Sequence, residues 1–147
     1  AKSDACAAGA LPPRKEAVMT FKLVCTASAV VSIAFGIAFV VAVEPAMAMY
    51  TPEGAPGLTS GGLLIANLLG AAFIGLGVIA FQAREAEDSV ARRAIAMGLV
   101  VGNAIGAVMT ALGVTSGAVN ALGWSSVALY AIFAVGFGMT GLAKSSA

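Results

Sequence analysis

Few side chains in this sequence could do chemistry, and their spacing does not bring them together. Histidine is absent, which removes the commonest ligand for haem and zinc and the side chain best suited to proton transfer near neutral pH. The two cysteines are Cys6, in a polar leader, and Cys25, near the start of an apolar run. Neither has metal-ligand spacing, and a mutual disulfide is not expected. There is no nucleophile–base pair and no phosphate-cradling glycine loop, because the glycines fall inside apolar stretches. No catalytic residue, metal or cofactor is therefore expected, and the chain does not read as an enzyme. A methionine or backbone carbonyl ligand to a pigment is the one route left open, and it would be unusual as a sole anchor.

The remaining polar groups of interest are amides. Asn67 and Asn103 lie deep in apolar runs, Gln82 falls at the end of one, and Asn120 sits in or beside a turn where it can cap the next helix. Asn67 and Asn103 are expected to bond to each other or to backbone carbonyls. Such contacts between membrane helices average only about 0.6 kcal/mol and serve as structural glue. Proton-coupled transporters carry an ionisable residue in mid-membrane as the coupling device. No Asp, Glu, Lys or Arg lies mid-run here. Glu44 comes closest, at a boundary before Pro45. Coupled transport is disfavoured, and a neutral pore stays open.

The elements that must position these residues follow from composition. In 147 residues, 60% are apolar and only 10% charged, and the mean hydropathy is +0.98. Ordinary soluble domains carry roughly a quarter charged residues, and a chain this small cannot hide so much apolar surface in one core. The excess must face lipid. Four runs are long enough to cross the hydrocarbon, at about 20–43, 61–82, 94–114 and 124–142. The expected fold is an all-α four-transmembrane-helix bundle over residues 19–143. A polar leader, 1–18, precedes it and a short tail, 144–147, follows. The first run has the basic start and Ala46-Met47-Ala48 sequel of a signal peptide, but is too long for one. Glu44-Pro45 should end it, with Ala46–Tyr50 as one interfacial turn.

All 8 lysines and arginines fall in the leader and first junction (Lys2, Arg14, Lys15, Lys22), the 83–93 loop (Arg84, Arg92, Arg93) or the C-terminal end (Lys144). The other two loops carry only Glu44 and Glu53. By the positive-inside rule both termini are expected in the cytoplasm, in a bacterial inner membrane. Tyr50 and Trp124 would then anchor the outer interface, with Arg92 and Arg93 at anionic headgroups inside. Within the charged loop, Asp88 and Arg92 have the spacing of a helical ion pair. The net charge of +1 and the absence of a basic patch give no reason to expect nucleic acid.

The spans are most distinctive for small residues four apart: Ser28, Ser32 and Gly36; Ala66 and Gly70; Ala71 and Gly75; and Gly98, Gly102, Gly106 and Thr110. Such faces let backbones approach closely, a main source of helix association in lipid. They are expected chiefly to hold the four helices together, with docking onto another protein as the second reading.

The segments GGLLIANLLGAAFIGLG (61–77) and VNALGWSSVALYAIFAVGFG (119–138) resemble small bacterial membrane proteins of four helices with no assigned activity. The resemblance spans about residues 19–143 and brings no site residues with it. The expected role is a non-catalytic accessory subunit of a larger membrane complex, in contact with other membrane subunits and lipids. The alternative is a homo-oligomeric channel or carrier for a small neutral solute around Asn67 and Asn103.

Overall fold

The computed structural model describes the backbone of residues 13–142 and the side chains of residues 20–142. Expectations for Lys2, Cys6, Lys144 and the side chains of Arg14 and Lys15 lie outside the described residues. The described chain is all-helical: α1 (Pro13–Val41), α2 (Val43–Ala48), α3 (Ser60–Ala83), α4 (Val90–Thr115) and α5 (Gly123–Gly141). All but the six-residue α2 are long and apolar enough to cross a membrane.

Several boundaries have a local cause. Pro13 opens α1, at a first-turn position where its missing N–H costs nothing. Pro45 has no N–H to offer the Val41 carbonyl, so the ladder breaks at Ala42 (φ −137°, ψ 50°) and restarts as α2. Thr59 caps α3 by accepting from the Gly62 amide at 3.1 Å, and Ser89 caps α4 by accepting from the Arg92 amide at 3.2 Å. Ser89 thus starts α4 four residues earlier than the apolar run suggested. α4 ends where Gly117, at φ 77°, takes the left-handed conformation and donates to the Val114 carbonyl at 3.1 Å.

The helices pack in the order α3, α1, α5, α4, with α3 and α4 barely touching. The α1–α3 seam depends on absent side chains. A β-carbon on Gly36 would lie 2.7 Å from the Gly70 carbonyl oxygen, and one on Gly70 would lie 2.9 Å from the Gly36 oxygen. Gly77 meets the Ala29 oxygen in the same way, at 3.1 Å. At the α4–α5 seam the Tyr130 ring lies 3.1 Å from where a Gly106 β-carbon would be.

Packing differs between the two ends. At the end holding the start of α1 and of α4, Phe21, Cys25, Ala29, Ala80, Ala83, Ala96 and Phe137 form a closed core. Phe21 and Phe137 meet edge-on with centroids 6.4 Å apart. Lys22, Arg84, Arg92 and Arg93 also gather at this basic end, while α2, Glu44 and Glu53 lie at the other.

The seam makes a paired expectation. Gly36→Ala should destabilise the folded chain by about 1–3 kcal/mol, since the intruding methyl meets backbone. Gly98→Ala, where a β-carbon meets nothing within 4 Å, should be neutral or gain up to about 1 kcal/mol of helix propensity. Denaturation of the purified variants in one detergent checks both.

Candidate functional site

Three features of the bundle could act on something outside it: a cavity, an open helix face and the basic end. The cavity lies in the half that carries α2. It measures about 280 Å³. α1 contributes Ser32, Phe35 and Phe39, α3 contributes Leu69 and Phe73, and α4 contributes Asn103 and Thr110. Met47 of α2 and Tyr50 also line it, and α5 supplies Ser126, Tyr130 and Phe133. Phe39 and Phe73 stack with centroids 6.3 Å apart and planes 30° from parallel. No Asp, Glu, Lys or Arg lines the space.

The loops above the cavity are tied together by Asn120. Its Nδ2 donates to the Met49 carbonyl at 2.8 Å and to the Thr51 carbonyl at 3.3 Å, while its amide donates to the Tyr50 carbonyl at 2.9 Å. Its Oδ1 accepts from the Leu122 amide at 3.0 Å. The residue lies in the turn before α5, as its position suggested, but its reach across to residues 49–51 is tertiary and has no local signal. Tyr50 follows α2 at this same end of the bundle. Its ring lines the cavity, and its hydroxyl accepts from Ser126 Oγ at 3.1 Å. Trp124 is half exposed in the first turn of α5, at the same end of the bundle.

The intramembrane amides do not meet. Asn103 Nδ2 donates to the Leu99 carbonyl of its own helix at 2.7 Å and its side chain lines the cavity. Asn67, on α3, makes no hydrogen bond, and its Oδ1 is buried without a partner. Of the two expected arrangements, the bond to a backbone carbonyl forms at Asn103, and the bond between the amides does not because α3 and α4 are at opposite edges of the bundle.

The small residues divide into two sets. Ser28, Gly36 and Gly70 are buried along the seams, Ser32 turns to the cavity, and Gly106 packs under Tyr130. Gly75, Gly98 and Gly102 face outward, and a β-carbon at any of them would meet nothing within 4 Å. The α4 ladder therefore serves the bundle only from Gly106 onward. Its first part lies open beside exposed Met97, Val101 and Ile105. Only 11% of the apolar stretch of α4 is buried, against 28% in α1.

At the basic end the two adjacent arginines part company. Arg93 holds Asp88 through its Nη2, at 3.1 Å and 3.2 Å to the two carboxylate oxygens. Residues 84–89 are not helical, so the anticipated Asp88–Arg92 helical pair does not form. Arg92 turns inward and is only 6% exposed, where a headgroup contact had been expected. Its guanidinium carbon lies 3.9 Å from the Phe21 ring centroid, and Nη2 donates to the Thr140 carbonyl at 3.4 Å. That carbonyl is in the last turn of α5, where a cation also complements the helix dipole. Its Nε has no partner.

Lys22 pairs with Glu85 at 2.7 Å, joining the start of α1 to the segment after α3. The hydrogen bond from Lys22 holds the Glu85 carboxyl below its ordinary value. The contact thus contributes stability above the ordinary carboxylate range and loses it as pH falls through the lowered value. Both groups are well exposed, so Glu85→Gln should lower the melting temperature only slightly at pH 7 and not at all once Glu85 is protonated. A melting series from pH 7 to pH 3 checks the convergence. Asn120→Ala should cost about 1–2 kcal/mol by freeing two loops at once, read in the same melts.

No His/Cys/Asp/Glu group with metal-holding geometry exists among the described residues. Comparison with protein-family models, with curated proteins and with solved structures finds no match to the chain, so its function must be argued from the bundle itself.

Proposed function

We propose that the chain is a non-catalytic accessory subunit of a larger membrane complex, such as a respiratory or photosynthetic assembly, and that α4 is the helix it presents to its neighbour. The observation that carries this reading is the open Gly98–Gly102 face. Close backbone approach is a main source of helix association in lipid, and the bundle leaves this stretch of glycine ladder unused while spending Gly36, Gly70 and Gly106 on itself. The partner is another membrane helix, with lipid covering the remaining apolar surface. The clustering of Lys22, Arg84, Arg92 and Arg93 at one end supports a cytoplasmic placement for that end, and with it both termini on the cytoplasmic side of a bacterial inner membrane.

A homo-oligomeric channel for a neutral solute is less well supported. Asn67 and Asn103 lie on helices that barely touch, and the space beside Asn103 is walled by phenylalanines.

Mild-detergent extraction followed by native electrophoresis tests the main reading. The wild-type chain should migrate in an assembly larger than itself. Gly98→Leu combined with Gly102→Leu should release most of it as monomer, at an unchanged melting temperature. A wild-type chain that runs only as monomer, or a double variant that stays in the assembly, contradicts the reading.

A further inference from the structure

The cavity in the α2 half contains hydroxyls that nothing in the bundle satisfies. Elsewhere in these helices threonine hydroxyls return to their own backbone. Thr26 donates to the Lys22 carbonyl at 2.8 Å, Thr115 to the Ala111 carbonyl at 2.9 Å, and Thr140 to the Gly136 carbonyl at 2.7 Å. This is the ordinary solution where lipid supplies no partner. Ser32, Thr110 and Tyr130 make no hydrogen bond, and all three line the one cavity. They come from α1, α4 and α5, so no local feature of one helix explains the convergence. None of the three oxygens is shut away from the space, so each can reach a molecule that enters it. Three around one space point to an occupant.

The chemistry of the walls narrows that occupant. With no charged residue in the lining, it is neutral. Three unused hydroxyl donors favour oxygen acceptors on it, and Asn103 Nδ2, which uses one N–H on the Leu99 carbonyl, has a second to offer. Phe35, Phe39, Phe73 and Phe133 favour a planar ring. The volume of 280 Å³ exceeds the roughly 150 Å³ that admits benzene, leaving room for ring substituents. We infer that this cavity binds a neutral, lipid-soluble molecule through a planar carbonyl-bearing ring, of the size and chemistry of a benzoquinone head group. Ser32, Thr110 and Tyr130 donate to the carbonyl oxygens, and the aromatic walls take the ring faces. The site is independent of the α4 face, so a partner helix and the ring compound can be bound together.

Equilibrium binding to the full chain in nanodiscs tests this, with decyl-substituted benzoquinone as probe and decylbenzene as the control that keeps ring and tail but lacks carbonyls. The quinone should bind saturably, with decylbenzene at least ten-fold weaker. Thr110→Val with Tyr130→Phe, which remove two hydroxyls at nearly constant shape, should weaken quinone binding about ten-fold and leave decylbenzene unchanged, since each lost hydrogen bond is worth roughly two- to ten-fold. Should that double variant fail to fold, Ser32→Ala provides the same comparison at one position, with a loss of about two- to ten-fold. Absent saturable binding, equal affinity for decylbenzene, or wild-type affinity in the hydroxyl variants overturns the proposal. The first result would mean that water alone fills the space, and the second that it takes any lipid chain.

Discussion

Lipid exerts no solvent pressure that drives one apolar helix onto another, so this bundle depends on how closely its backbones can approach. The α1–α3 seam shows the dependence most directly. Gly36 and Gly70 place each helix's backbone against the other's carbonyl oxygen, closer than any β-carbon would allow. That contact fixes α1 beside α3, and α1 in turn carries Phe21, Cys25 and Ala29 into the core shared with α5. The four-helix arrangement grows outward from this one close approach. The seam also sets the limits of the design, because α3 and α4 are left at the edges with apolar faces that the bundle itself does not cover.

The two ends of the bundle use polar groups in opposite ways. At the basic end the buried Arg92 lies on the Phe21 ring and caps a carbonyl in the last turn of α5. A stacked guanidinium of this kind contributes about 0.5–2 kcal/mol and leaves little room. At the other end Asn120 ties two loops together beside a space in which the Ser32, Thr110 and Tyr130 hydroxyls are unspent. One end is closed by packing and the other is tied at its loops by Asn120. This division places the candidate ligand site where the chain is held by hydrogen bonds between loops.

Much of this was legible in the sequence, and the reason is the lipid. Four long apolar runs leave the backbone no choice but helix, and Pro45 marks the break in α1 by chemistry local to itself. The register of side chains around each helix was not legible. Arg92 and Arg93 are neighbours of like type, yet one turns to Phe21 and Thr140 while the other holds Asp88. The positions of α1 and α5 against α4 decide which. The same holds for the glycine ladder of α4, a single repeat in sequence that splits at Gly106 because Tyr130 of α5 reaches only that far. The cavity draws its walls from five separate stretches of chain, so no window of sequence contains it.

The division of small residues into a spent inner set and an open outer set is the centre of the account, and lipid accessibility reads it directly. Spin labels attached through Gly98→Cys and Gly102→Cys, with Gly75→Cys for comparison, report exposure to a lipid-soluble relaxation agent. If a partner helix covers α4 as proposed, the labels at Gly98 and Gly102 should be accessible in the purified chain and shielded in native membranes. Equal accessibility in both settings would contradict the account, because the face would then be an ordinary lipid-facing surface.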